Sequence, residues 1–168
     1  MKQPVLITGG TGMIGLNLIE KLVSIGIKPY VLYRHKKKIL PLSGLKNKIT
    51  FIKVDLYDQI KLVKIINKIK PKTIFHLAAS FFNPPNLSFN DHINLNVVTT
   101  LNLLVALKNV NLKNFIFSNT GAIYGTGLNL KEKTKIRCLN DYSLSKYLAS
   151  NLVIDFAKKY NFLYKELR

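Results

Sequence analysis

The chain has 168 residues, enough for one domain with a sizeable core and too few for two ordinary ones. Hydrophobic residues make up 48% and charged residues 20%, which excludes a disordered chain, and no apolar run approaches the roughly 18 residues of a membrane span. The net charge of +18 admits a polyanion partner or a plain compositional bias toward Lys, Asn and Ile. Arg34, Arg137 and Arg168 are the only arginines among 26 basic residues, and the lysines run along the whole chain. Nucleic-acid sites favour the planar fork of Arg, so the compositional reading is preferred, and neither nucleic acid nor membrane is expected as a partner. The charge still favours an anionic small molecule. Cys138 has no second cysteine to pair with, and no signal-peptide pattern precedes the first strand-like segment. A cytoplasmic location is the expectation.

Pro4 to Thr8 is a short apolar run ending at Gly9-Gly10, as a buried parallel strand does. Ile14, Leu18, Leu22 and Ile25 then recur at helical spacing, and Gly26 follows as a stop. Tyr30 to Tyr33 is a second strand, residues 36–48 a polar irregular stretch with Pro41 and Gly44, and Ile49 to Val54 a third strand. Gln59 to Ile69 is helical and Lys70-Pro71 ends it. A strand over Thr73 to Leu77 leads into a loop over Phe81 to Asn90, which holds Pro84-Pro85. A long helix over His92 to Lys108, a strand over Asn114 to Phe117, a long helix over Tyr142 to Tyr160 and a strand over Phe162 to Leu167 complete the pattern. Strands alternating with helices predict an α/β domain: a Rossmann-type doubly wound parallel sheet with helices on both faces, over residues 1–168.

Gly9, Gly12 and Gly15 form G-x-x-G-x-x-G between a strand and a helix. The first glycine permits the sharp turn, the second lets the backbone approach a pyrophosphate, and the third packs helix on strand. The N–H groups of Met13, Ile14 and Gly15 at the helix start would face the phosphates, aided by the helix dipole. A nicotinamide dinucleotide is the expected ligand. After the second strand come Arg34 and His35, with no acid to bond a ribose 2′-hydroxyl. Arg34 can pair with a 2′-phosphate, so NADP is favoured over NAD; the competing reading is a solvated loop of a lysine-rich chain.

Several segments in order resemble the extended short-chain dehydrogenase/reductase superfamily, in particular the NAD(P)-dependent sugar-nucleotide epimerase/dehydratase family. They are the Thr8 to Gly15 turn, Val54-Asp55-Leu56, His76-Leu77-Ala78-Ala79, Asn96 to Thr100 with Thr99 replacing the usual glycine, Phe117 to Gly125, and Tyr142-Ser143-Leu144-Ser145-Lys146. The resemblance implies that Asp55 and Leu56 lie at the adenine, that Leu77, Ala78 and Ala79 line the cofactor, and that Asn96 steadies the neighbouring helix. It also implies a nucleotide-linked sugar as substrate and a homodimer through the two long helices. Relatives continue well beyond residue 168, so the expected domain lacks their C-terminal substrate-binding part.

Tyr142 and Lys146 lie four apart on one helix face. A phenol moves a proton at a carbinol oxygen only if its pKa is brought down toward neutrality, and a nearby ammonium does this. The resemblance gives Lys146 that role together with a bond to the nicotinamide ribose, and places Thr120 as the hydroxyl that orients the substrate oxygen. Without the glycine turn, Tyr142 and Lys146 would pass for a surface pair and Thr120 for a turn cap. Gly121-Ala122 follow Thr120 where the family's dehydratases carry Asp-Glu, so an epimerase or ketoreductase is expected rather than a dehydratase. A non-catalytic dinucleotide-binding domain, or an inactive truncated member, is the alternative. His35, His76 and His92 show no metal-ligand spacing with Cys138 or the carboxylates, and no metal is expected.

Overall fold

The structure, a computed structural model, describes residues 3–80 and 86–168. Six parallel strands form one sheet in the order β3-β2-β1-β4-β5-β6. They are β1 (Val5–Thr8), β2 (Tyr30–Tyr33), β3 (Thr50–Lys53), β4 (Thr73–His76), β5 (Asn114–Ser118) and β6 (Leu163–Leu167). The helices are α1 (Met13–Ser24), α2 (Gln59–Ile69), α3 (Phe89–His92), α4 (Thr99–Ala106) and α5 (Asp141–Tyr160). This is a Rossmann-like fold. The strand order reverses between β1 and β4, and the crevice at their carboxyl ends is where such sheets bind ligands.

The apolar periodicities place the helices. Leu6, Leu32, Ile74, Phe115 and Phe117 on one sheet face pack with Leu62 and Ile66 of α2, Leu103 and Leu104 of α4, and Ala149 and Val153 of α5. Val5, Ile7 and Val31 on the other face pack with Ile19 and Leu22 of α1 and with Leu42 and Ile49. Asp58 caps α2 by accepting from Lys61 N at 3.0 Å, and Lys70 ends it in the left-handed region before Pro71. Asn140 and Ser143 form a reciprocal cap on α5.

Two regions differ from the sequence reading. Lys36–Lys48 is wound in 3-10 turns rather than irregular, and Leu42 within it is buried against the α1 side of the sheet. The expected long helix over 92–108 begins earlier, at Phe89, because Ser88 and Asp91 form a capping box. It is also not uniform: Ile93–Val98 is a π-helical turn between α3 and α4. Thr99 and Thr100 donate back to the carbonyls of Leu95 and Asn96. Of the expected loop over Phe81 to Asn90, residues 81–85 lie outside the described residues.

Candidate functional site

The glycine turn joins β1 to α1. Gly9 has φ of +69°, and a Cβ there would lie 2.4 Å from Ala78 N and 2.5 Å from the Leu77 carbonyl carbon. The turn is therefore pressed directly onto the segment after β4. A Cβ on Gly15 would meet Gly10 Cα at 2.5 Å and Gly9 O at 2.6 Å, so α1 approaches the turn backbone to backbone. Gly12 is different. It is the N-cap of α1 in extended conformation, and a Cβ there would meet nothing nearer than Gly9 O at 3.4 Å. No side chain caps α1 and no acid sits in its first turn, while Met13 and Ile14 are exposed. An open helix N-terminus rimmed by a side-chain-free backbone fits a pyrophosphate.

Arg34 and His35 follow β2, and Asp55 and Leu56 follow β3. Arg34 donates from Nε to His35 Nε2 at 2.9 Å, and its Nη1 lies 3.9 Å from Asp55 Oδ2, with both side chains about half exposed. The two residues that sequence reasoning treated separately thus share one edge of the crevice. Asp55 also accepts from Tyr57 N, and Leu56 O accepts from Asn102 Nδ2 of α4. Leu77 N donates to Thr8 O, prolonging the β1–β4 pairing by one residue, and Ala78 N donates to Thr8 Oγ1. Ala79 is exposed just beyond.

Beneath this rim runs a buried polar chain that the sequence reading did not anticipate. His76 is fully buried; its Nδ1 lies 2.6 Å from Thr8 Oγ1 and its Nε2 2.8 Å from Thr100 Oγ1. Thr100 uses its single proton on Asn96 O, so it accepts from His76 Nε2–H, and Thr8 donates to the bare Nδ1. Burial, reinforced by the Lys146 charge, holds the imidazole down at about 3 and therefore neutral. Asn96, 1% exposed, has both amide protons engaged inside the protein: Nδ2 donates to Ser80 Oγ and to Ser145 Oγ, while Oδ1 accepts from Ser80 N. It ties the end of the β4 segment to α5. Ser80 Oγ also pairs with His92 Nδ1 at 2.8 Å, and the His92 ring meets the Tyr142 ring edge-on at 6.0 Å between centroids.

Thr120 stands just past β5, where its Oγ1 accepts from Ala122 N and caps a 3-10 turn over Gly121–Tyr124. It also reaches Tyr142: burial holds the Tyr142 phenol above its ordinary value, and a hydrogen bond with the Thr120 side chain offsets this only in part, so the phenol is not brought down toward neutrality as the sequence reading expected. Lys146, one helical turn further, is 2% exposed, with its Nζ 4.3 Å from the Phe117 ring centroid. Burial drives this ammonium down to about 8, and the Glu166 carboxylate resists the fall. Thr120 thus meets Tyr142 just past β5, and Lys146, further along α5, rests on Phe117 of β5. A hydroxyl hydrogen-bonded to a phenol can bind an alcohol or carbonyl oxygen and exchange a proton with it. Among the described residues no cluster of His, Cys, Asp or Glu could hold a metal ion, and no helix is long and apolar enough to cross a membrane.

The model of the NAD dependent epimerase/dehydratase family matches residues 5–168. A UDP-glucose 4-epimerase of Mycoplasma genitalium is 32% identical over 94% of this chain and 49% of its own. The UDP-glucose 4-epimerase of Brucella ovis, solved in complex with NAD, superposes with a TM-score of 0.86 at 28% identity, over 99% of this chain and 51% of that one. The enzyme of the same name from Thermotoga maritima, solved with UDP-glucose, gives 0.83 at 27% identity, over 98% and 54%. The chain spans about half the length of the curated relatives it matches. A match running from β1 to the last residue makes this chain a member of the NAD-dependent epimerase/dehydratase family.

Proposed function

We propose that residues 1–168 form the NAD(P)-binding part of an epimerase or ketoreductase that acts on a nucleotide-linked sugar. The reading is supported by the hydrogen bond between Tyr142 and the Thr120 side chain, with Lys146 buried one helical turn further along α5 and the N-terminus of α1 left open. Gly9, Gly12, Met13, Ile14 and Gly15 would hold the pyrophosphate, Asp55 and Leu56 the adenosine side, and Leu77, Ala78 and Ala79 the middle of the dinucleotide. Arg34 and His35 would select NADP through a 2′-phosphate, with Asp55 as the partner Arg34 leaves when that phosphate arrives. When bound, the nicotinamide supplies the hydride exchange at the sugar carbon.

The chain's own residues would handle the proton. Thr120 donates to the sugar oxygen and orients it. Tyr142 takes the hydroxyl proton as the sugar is oxidised and returns it when the sugar is reduced on the other face. Lys146 favours the phenolate by its charge and bonds the nicotinamide ribose. Asn96 acts through Ser80 and Ser145, keeping the β4 segment and α5 in register. The relatives named UDP-glucose 4-epimerase make UDP-glucose the first substrate to try; a homodimer and a cytoplasmic location remain part of the proposal. The second, alternative reading is a chain that binds the dinucleotide without turnover.

Proton NMR of UDP-glucose incubated with the protein and NAD or NADP tests the proposal. Formation of the 4-epimer, abolished in Tyr142→Phe while cofactor binding persists, is the expected result. Equal turnover in Tyr142→Phe would refute the assigned chemistry, and cofactor binding without any turnover would favour the second reading.

A further inference from the structure

Lys146 sits over a row of side chains that crosses the sheet. Register partners on neighbouring strands point to the same face, with strands about 4.8 Å apart. Thr8, His76, Phe117 and Glu166 are such partners on β1, β4, β5 and β6. α5 covers this face, and the Lys146 ammonium rests on Phe117. Its two neighbours in the row are opposite in character. On the β4 side His76 is a neutral imidazole with both nitrogens bonded. On the β6 side Glu166 Oε1 accepts from Asn119 Nδ2 and from Arg168 Nε at 2.8 Å, and Oε2 accepts from Tyr164 OH at 2.6 Å. Burial pushes the Glu166 carboxyl up, but the bonds from Arg168, Tyr164 and Asn119 outweigh it and hold the group below its usual range. Asn119 turns its NH2 toward this carboxylate and leaves Oδ1 buried with no partner among the described residues, an orientation that an ionised acceptor favours.

We propose that Glu166 is a positioning residue that acts through Lys146, its carboxylate supplying the counter-charge that keeps the buried ammonium protonated beside Tyr142. The proposal rests on the reading of Lys146 as the group that tunes Tyr142. Arg168 competes for the same carboxylate from the end of β6, so Lys146 receives only part of its field. Of the titratable groups on the strands beneath α5, His76 on β4 is neutral and Tyr164 on β6 has its hydroxyl committed to Glu166, while Glu166 is the carboxylate whose charge acts on Lys146.

Titration of the full chain labelled with [13Cε]lysine reads this directly, the Lys146 signal being the one lost in Lys146→Arg. In Glu166→Gln, which keeps an acceptor for Arg168 and a donor for Tyr164, the Lys146 midpoint falls by about one pH unit. In Arg168→Gln, which removes the competitor, it rises. Glu166→Asp keeps the charge and stays closer to wild type than Glu166→Gln. An unmoved midpoint in Glu166→Gln, or a fall in both Glu166→Gln and Arg168→Gln, overturns the proposal. If Glu166→Gln fails to fold, the double variant Glu166→Gln/Arg168→Gln is compared with Arg168→Gln: a lower Lys146 midpoint in the double variant supports the pairing and an equal one overturns it. The titration needs neither cofactor nor substrate. A missing turnover with the expected midpoints would therefore count against the enzymatic reading and not against the charge pairing.

Discussion

Replacing Lys146 by Met should stabilise the fold at neutral pH. The ammonium is 2% exposed and held at about 8, against an ordinary 10.5. A lysine whose folded-state pKa lies below its unfolded value destabilises the fold wherever the unfolded chain binds the proton more tightly. That cost is complete below about pH 8 and disappears as pH rises through 10.5. At about 1.4 kcal/mol per pH unit, the interval corresponds to about 3 kcal/mol at pH 7 and falls to about 1 kcal/mol at pH 10. Methionine fills a similar volume without the charge, and it keeps contact with Phe117. Urea denaturation of wild type and Lys146→Met at pH 7 and pH 10 reads both numbers. Lys146→Met should be the more stable protein at pH 7, and the gap should narrow by about 2 kcal/mol at pH 10. A less stable Lys146→Met, or a gap that ignores pH, would refute the argument that burial governs this lysine.

Other residues give independent checks. Asn96→Leu removes three buried hydrogen bonds and strands Ser80 N–H, which should cost about 3–5 kcal/mol; a loss under about 1 kcal/mol in urea would show that the link between the β4 segment and α5 is dispensable. Arg34→Ala should weaken NADP binding at least about tenfold more than NAD binding, as one charge-assisted pair is worth about 1.5–3 kcal/mol. Equal losses in calorimetry would show that Arg34 does not read a 2′-phosphate and that its ion pair with Asp55 is only a surface contact.

Much of this architecture was legible because local chemistry and tertiary structure agree. The apolar runs at Val5–Thr8 and Thr73–His76 are buried strands, and the Gly9 to Gly15 spacing reflects two backbone contacts that no side chain could survive. Lys70-Pro71 ends α2 where a left-handed residue and a proline must. Ser88-x-x-Asp91 was a visible helix start, masked by the two prolines that precede it. The π turn was not legible, because it depends on Thr99 and Thr100 bonding back to carbonyls and on Asn96 finding Ser80 and Ser145 across the fold. The 3-10 winding of Lys36–Lys48 has no periodicity to announce it, with Leu42 buried through tertiary contact alone. Thr120, Tyr142 and Lys146 are singled out by the resemblance of their segments, since spacing alone leaves a surface pair and a turn cap. The Glu166 cluster could not be named this way, since the β5–β6 register, and not proximity in sequence, brings Phe117 and Asn119 to Glu166.

The central claim is that the turn between β1 and α1 carries the pyrophosphate of a dinucleotide, and Gly12 tests it most directly. A Cβ there meets no atom closer than 3.4 Å and needs no unusual backbone, so Gly12→Val should still fold, at a cost of about 1 kcal/mol for losing glycine at the N-cap. The same side chain would stand in the path of the phosphates at the open end of α1. Calorimetry with NAD and NADP should then find one dinucleotide bound per wild-type chain and at least about a tenfold loss in Gly12→Val. Undiminished binding by a folded Gly12→Val, or no binding by the wild type, would contradict the account.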